Sequence, residues 1–557
     1  MARHLRTTFR WSFPVVMMLA VLGCQNQDEN PKSQTEEKTG SSQARENLER
    51  RRICKANLDK VYQILRPSAE NMDSEPTSAL VILNQWFGSC AEMPDGQLDV
   101  SAPAFASLND EEALGSLNNP SASIADIHYL RDQLLMRQMV TEVVKFSPTD
   151  VEKVRAVMEY VRRNLPIDEL LIDGRLATAG LLPQETLDQL NPFSIPRALQ
   201  DVALAGRGLP YDRIWMAASM LRQLNIESLL LTHDADLTLR PEVPALLLIP
   251  LESQLVVFCP QLGIEIRPEG DAEAWELATF NADLKNLFAG LDQVTWPEDS
   301  PITRMKNADW TTAKVMLPVA PISASPRMEA LQLDFVGDMA CNLHQSAAIH
   351  GDDGLKKSLG SIIGDREIEY WPYPHRMYTG LLDPTDEEAR LRQLTVATLL
   401  KEVQSIRASQ DQNEQTSYRV SMERKMLKAR VEQLIARDVE ALQTYMRIRL
   451  QFRVPGQGAQ VELENLMRFL QAEDAHYWSA VAQFETEQYR SAGDTLQNYL
   501  ERYQQGHWVQ SARMLWAEAE AAEGNPQRAI EILQQGELQE DQKVRRELLI
   551  QKWKPAN

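Results

Sequence analysis

Apolar residues recur at three- and four-residue spacing through most of this 557-residue chain, and in the block from Ser228 to Ile266 that spacing gives way to short, nearly continuous apolar runs. Helical spacing lays one stripe of each segment on a core, whereas brief apolar runs bounded by polar turns are the pattern of buried strands. The chain is therefore expected to be α+β and predominantly helical. Its length suggests about three domains, and 43% hydrophobic residues is enough for each to bury a core.

The spacing divides the chain further. From 46 to 146 a small helical domain is expected, with Leu58, Val61, Ile64 and Leu65 in one helix, Leu80, Ile82, Leu83 and Trp86 in a second, and Ile127 to Val144 in a third. Breaks at Pro67, Pro76 and Asn118-Asn119-Pro120 separate these helices. Ser147-Pro148-Thr149-Asp150 predicts the next helix start, with Ser147 as N-cap, and opens an α+β domain over 147–270. In it an amphipathic helix, Arg213 to Asn225, precedes strand-like runs at Ser228–Leu231, Ala245–Leu251, Leu255–Phe258 and Ile264–Ile266. An α/β extension follows over 271–383, with a helical pattern from Asp271 to Phe280 and a strand-like Lys314–Pro318. Tyr370-Trp371-Pro372-Tyr373-Pro374-His375 reads as an aromatic corner on the core. Over 384–457 Leu427, Val431, Leu434, Ile435, Val439, Leu442, Tyr445 and Met446 predict one long amphipathic helix, ended by Pro455-Gly456 and packed near Leu391 to Val403.

The N-terminus sets location. Arg3, Arg6 and Arg10 precede a mainly apolar run, Trp11 to Leu22, too short for a permanent membrane span. Val21-Leu22-Gly23-Cys24 resembles the lipobox of bacterial lipoproteins, which implies a signal peptide over 1–23 and a lipid-modified Cys24 as the first mature residue. An ordinary cleaved signal is the alternative. Gln25, where that family's sorting rule would place Asp for inner-membrane retention, favours the outer membrane. The expected location is a cell membrane or outer membrane, facing the periplasm or exterior. Residues 24–45 are polar and read as a flexible tether. A net charge of −21 argues against nucleic acid as a partner, since both would repel.

If Cys24 carries lipid, Cys54, Cys90, Cys259 and Cys341 remain in a compartment that permits disulfides. Three pairings exist, and Cys54 with Cys90, on neighbouring predicted helices, is favoured. Cys341-x-x-His344 with His350 lacks a second ligand pair at metal spacing, so no metal and no cofactor are expected.

Gly208-Leu209-Pro210-Tyr211-Asp212-Arg213 and the helix that follows resemble the core of transglutaminase-like domains, where a Gly-x-Cys turn opens a helix that leads directly into a strand. Pro244 to Leu248 and Leu255 to Pro260 resemble that family's His-bearing strand and Asp-bearing return strand. The resemblance covers about Ser147 to Ile266 and implies a small papain-like fold with a Cys-His-Asp triad. At the matching positions stand Pro210, Pro244 and Cys259. Proline offers neither nucleophile nor base, and a thiol replaces the carboxylate, so the resemblance implies the fold without the reaction. A rearranged pair, Cys259 with His233, is the enzymatic alternative.

Over 458–557 a weak repeat at an offset of 37 lays Ala480, Tyr489 and Ala492 on Ala517, Pro526 and Ala529. It resembles tetratricopeptide repeats, whose small residues let paired helices approach closely and whose stacks bind protein segments. These readings lead to a membrane-anchored envelope lipoprotein acting as a non-catalytic peptide- or protein-binding or scaffolding module, with an envelope protein or peptide and the bilayer as partners. The alternative is a cysteine-dependent acyl-transfer or hydrolytic enzyme with relocated catalytic residues.

Overall fold

Two packed helices carry the centre of the molecule. Every residue of the Pro210–Arg222 helix is buried, as is the unbroken run from Ala125 to Met136 in the Ile124–Val143 helix. The computed structural model describes residues 34–554 except 73–75, 95–96, 109, 169–170, 173–174, 176–189, 234–244, 270–271, 278–279, 281–286, 292–295, 299, 346–358, 401–423, 451–452, 537 and 539. Cys24 and Pro244 lie outside the described residues.

A helix buried all round must find a partner for each polar side chain it carries, because an unpaired buried charge is costly. On the Ile124–Val143 helix the two buried aspartates do so. Asp126 closes a capping box with Ser123 and accepts from Arg327 Nε at 2.8 Å. Asp132 accepts from the backbone amides of Leu199 and Gln200, each at 2.8 Å, and from the Tyr378 hydroxyl at 2.6 Å. Burial pushes the Asp132 carboxyl up to about 7 against those three donors. On the Pro210–Arg222 helix, Arg222 donates to the Tyr129 hydroxyl and the Leu343 carbonyl. Asp212 receives the Leu209 amide, Arg197 and the Tyr373 hydroxyl at 2.7, 2.8 and 2.7 Å.

Beside these helices lies a seven-stranded sheet in the order β4-β3-β2-β1-β6-β7, with β5 also paired to β3. The strands are β1 Leu229–Thr232, β2 Ala245–Leu251, β3 Gln254–Cys259, β4 Ile264–Ile266, β5 Trp275–Glu276, β6 Lys314–Leu317 and β7 Ile368–Tyr370. All pairs are antiparallel except β6 with β7. Leu251 opposite Gln254 makes β2 and β3 a tight hairpin turning at Glu252-Ser253. Trp371 and Tyr373, just after β7, are buried and meet Tyr211 edge-on, so the aromatic-proline run packs on the core.

C-terminally, helices Lys425–Leu434, Asp438–Arg449, Ala459–Glu485, Tyr489–Arg502, Val509–Ala522, Pro526–Leu533 and Glu540–Trp553 each pack on the next. Ala480, Ala492, Ala517 and Ala529 are fully buried between them, Tyr489 packs edge-on against Phe484, and Pro526 opens its helix from an exposed position. The stack joins the α/β part through one continuous hydrophobic core.

Several expectations need correction. The helix containing Cys54 runs from Gln34 to Leu65, so it begins inside the stretch read as tether. Residues 1–53 form one unit and Cys54–Asn557 a second compact one. The helical segments between Cys54 and residue 146 share the core of that second unit, because the Ile124–Val143 helix is enclosed by the α/β part. Thr149, not Ser147, is the next N-cap: its hydroxyl accepts from the Glu152 amide and the Glu152 carboxylate closes a capping box. Trp275–Glu276 is a strand: pairing to Gln254 and Leu255, and the Trp275 indole bond to the Ile266 carbonyl, override the helical spacing. The long helix expected around 427–446 is two helices, hinged where Ala436 adopts φ 57°. Folding back as a hairpin buries Leu427, Val431, Leu434, Ile435 and Tyr445 of the stripe and leaves Val439 and Met446 exposed.

Cys54 and Cys90 are joined by a disulfide. One further contact fixes the stack on the core. The Arg430 guanidinium lies 3.7 Å over the Trp478 ring and donates to the Ala203 carbonyl at 2.9 Å. Gly206, the left-handed C-cap at φ 66°, leaves the space this pair occupies, and a Cβ there would overlap the Trp478 ring. Gly206→Ala is expected to destabilise the fold by roughly 3 kcal/mol or more, through overpacking and a positive φ. A lowered thermal midpoint of the full chain measures it; an unchanged midpoint would mean that the Arg430–Trp478 contact is not rigid.

Candidate functional site

The elements that would carry a triad meet at one end of the sheet. Pro210 is the first residue of its helix and buried, and Cys259 is the last residue of β3. One turn into the helix, Arg213 donates Nη1 to the Pro260 carbonyl at 3.2 Å and Nε to the Leu165 carbonyl at 2.8 Å. Helix start and strand end are thereby tied together. Pro210 offers no side-chain chemistry there, and Pro244 falls outside the described residues.

Cys259 is fully buried, with its Sγ 3.7 Å from Met305 Sδ. Burial pushes its thiol up to about 12, despite backbone amides of Leu262 and Gln261 and the charge of Arg213. A thiol held there is a small hydrophobe rather than a thiolate. His233 lies exposed after β1, its ring 5.3 Å from that of Trp310. Among the described residues no imidazole hydrogen-bonds Cys259, so the rearranged pair is not brought together. Cys341 is likewise buried with its thiol raised by burial, and His344 Nδ1 is 3.0 Å from the Ser323 carbonyl. His350 lies outside the described residues.

The C-terminal helices close over this end of the sheet. Pro166, Arg213 and Leu262 from the α/β side face Tyr477, Met514 and Leu515 from the stack, leaving only about 40 Å³ between them. A ladder of ion pairs holds the closure. Arg162 meets Glu518 at 2.6 Å, Arg545 meets Glu518 at 3.2 Å and Glu159 at 3.1 Å, and Arg163 meets Glu485 at 2.8 Å. Arg545 also donates to the Gly263 carbonyl in the β3–β4 turn at 2.9 Å. The ladder does not signal itself in the sequence, because every pair except Arg545–Glu518 joins residues more than three hundred positions apart.

An open cleft of about 500 Å³ lies on the adjacent face, between the Asp150–Asn164 helix, β3 and β4, and the last helices. Met158, Leu549 and Trp553 supply apolar wall, and Arg155, Arg163, Arg267, Arg545 and Lys552 supply positive charge against Glu159, Glu265 and Glu518. Five cations against three carboxylates is the reverse of the chain as a whole, with 58 Lys and Arg against 79 Asp and Glu. A second, more polar cleft of about 540 Å³ lies at Asp168, His507 and Arg513. Asp168, Arg207 and His507 gather there at 3.4 to 3.5 Å from one another. Among the described residues there is no cluster of three or more His, Cys, Asp or Glu suited to a metal, and no helix long and apolar enough to cross a membrane.

Burial alone would raise the Glu518 carboxyl, yet Arg162 and Arg545 outweigh it and hold the group below its usual range. A depressed folded-state pKa gives stability that is present above the unfolded value and lost as pH falls through the folded one. The thermal midpoint is therefore expected to drop on acidification below ~4.5, where free glutamate protonates. Glu518→Gln is expected to cost roughly 1–3 kcal/mol at neutral pH, by leaving Arg162 and Arg545 with Glu159 as their remaining carboxylate, and to flatten that acid limb. A variant with wild-type acid sensitivity would assign the acid limb to other groups.

Comparison with protein-family models, curated proteins and solved structures gives no match for this chain.

Proposed function

We propose that this protein is a lipid-anchored lipoprotein of the bacterial cell envelope that binds a protein segment without catalysing a reaction. In this reading a degenerate transglutaminase-like α+β core is capped by helical hairpins of tetratricopeptide type. Support for the core comes from its element order: a buried helix opened by Pro210, then β1, then the β2–β3 hairpin ending at Cys259, with Arg213 joining helix start to strand end. Support for the repeats comes from seven successively packed helices with buried alanines at the 37-residue offset. Lipid attachment rests on the Leu22-Gly23-Cys24 motif.

The observation that carries the non-catalytic reading is the state of Cys259. Its thiol is buried against Met305, has no base among the described residues, and sits under the end of the sheet that the C-terminal helices close. Binding then falls to the open cleft beside the closure rather than to the triad position. Fold alone does not decide function, so the reading stands on this chemistry.

Thiol labelling of the folded protein at neutral pH, with peptide mapping, is expected to leave Cys259 unmodified until denaturant is added. Rapid single-site modification of Cys259 in the folded state would replace this reading with a cysteine-dependent acyl-transfer or hydrolytic enzyme. Metabolic labelling of the full chain with a fatty acid in a bacterial host is expected to be lost in Cys24→Ser; label retained in that variant would refute the anchor.

A further inference from the structure

The cleft between the Asp150–Asn164 helix, the β3–β4 hairpin and the last helices carries an excess of positive charge at its rim. Glu265 is shared by two arginines: Arg155 chelates it through Nε and Nη2 at 3.0 to 3.2 Å, and Arg267 reaches its Oε2 at 2.7 Å. Arg155 also meets Glu273 at 3.4 Å, so the half-exposed Arg267, which shares Glu265 with Arg155, and Lys552 leave the rim one positive charge in excess of Glu265 and Glu273. Lys552 on the opposite wall is exposed and has no carboxylate partner among the described residues. The inner cations Arg163 and Arg545, by contrast, are already committed to Glu485, Glu159 and Glu518. Behind this rim stand the side chains of Met158, Leu549 and Trp553.

We propose that the cleft binds a peptide segment that sets a carboxylate between Arg267 and Lys552 and an apolar side chain against Met158, Leu549 and Trp553. The proposal rests on the binding reading above and adds its ligand class. Two features select it. Open space of about 500 Å³ accommodates a few side chains, and the charge at the rim is opposite in sign to that of the chain, whose net charge is −21. Such a basic island focuses anions onto itself while the remaining acidic surface repels them elsewhere. The apolar wall distinguishes an acidic peptide with aromatic or aliphatic residues from a small inorganic anion, which gains nothing from Trp553 or Leu549.

The test is fluorescence anisotropy of a short labelled peptide alternating Glu and Phe, titrated with the full chain. Counterparts carry Lys in place of Glu, or Ser in place of Phe. The Glu/Phe peptide is expected to bind, with affinity falling as salt rises. Both counterparts are expected to bind much more weakly. Lys552→Glu, at an exposed position, is expected to weaken the Glu/Phe peptide by about fivefold or more and to improve binding of the Lys/Phe peptide, with the thermal midpoint unchanged. Trp553→Ala is expected to weaken the Glu/Phe peptide without changing its salt dependence. Equal binding of the Glu and Lys peptides, no effect of Lys552→Glu, or no binding to millimolar concentration would overturn the proposal. Inorganic phosphate displacing the Glu/Phe peptide as well as unlabelled peptide does would assign the cleft to a small anion and overturn it too. Peptide failure with Cys259 still unreactive rejects this ligand class alone, whereas a reactive Cys259 rejects the non-catalytic reading itself.

Discussion

The constraint on which the structure depends is the complete burial of charged side chains on its two central helices. Asp126, Asp132, Asp212, Arg213 and Arg222 all lie out of water, and each must be matched by a donor or acceptor brought from elsewhere in the chain. Those partners come from far away: Arg327 for Asp126, Tyr378 and the Leu199 and Gln200 amides for Asp132, Arg197 and Tyr373 for Asp212, and Leu343 for Arg222. Segments that look like separate units in the sequence are thereby tied into one interior. Removing one partner leaves the other charge buried and unpaired, so the network specifies a single arrangement more strongly than apolar packing would.

The same logic governs the closed end of the sheet. A helix start facing a strand end is where a nucleophile would gain from the helix macrodipole and from a neighbouring base. Here the helix begins with proline, the strand ends in a thiol packed on methionine, and an arginine from the helix is spent on the Pro260 carbonyl. The C-terminal helices then cover the junction, held chiefly by Glu159 and Glu518, each of which meets two or more arginines. What remains open lies to one side, where the last turn of the chain and the β3–β4 hairpin leave a cationic, partly apolar cleft.

Much of the local structure was legible in residue spacing. The β2–β3 hairpin strands fall where their pattern predicts, and the central helix expected over Arg213–Asn225 forms three residues earlier, over Pro210–Arg222, because period and turn chemistry act within a few residues. Failures occurred where a distant partner decided the outcome. Trp275 became a strand because β3 offered it a ladder and Ile266 a carbonyl. The stripe from Leu427 to Met446 broke at Ala436, where the two short helices turn and pack on each other. The candidate cleft was not legible at all: Met158, Arg267 and Lys552 carry no common signal and meet only through folding.

By itself the sequence determined the class of the protein: mixed α+β and mainly helical, with a sheet near the middle and a net charge of −21. These follow from periodicity, residue chemistry and summed charge, which are local or additive. Only the tertiary structure decided that the helical parts and the α/β part share one core, that the end of the sheet holding Cys259 is closed, and that a basic cleft opens beside it. Those outcomes depend on which of many chemically similar arginines, carboxylates and apolar faces are brought into contact. That choice is made by long-range packing and the need to pair buried charge, neither of which is written in any short stretch of the chain.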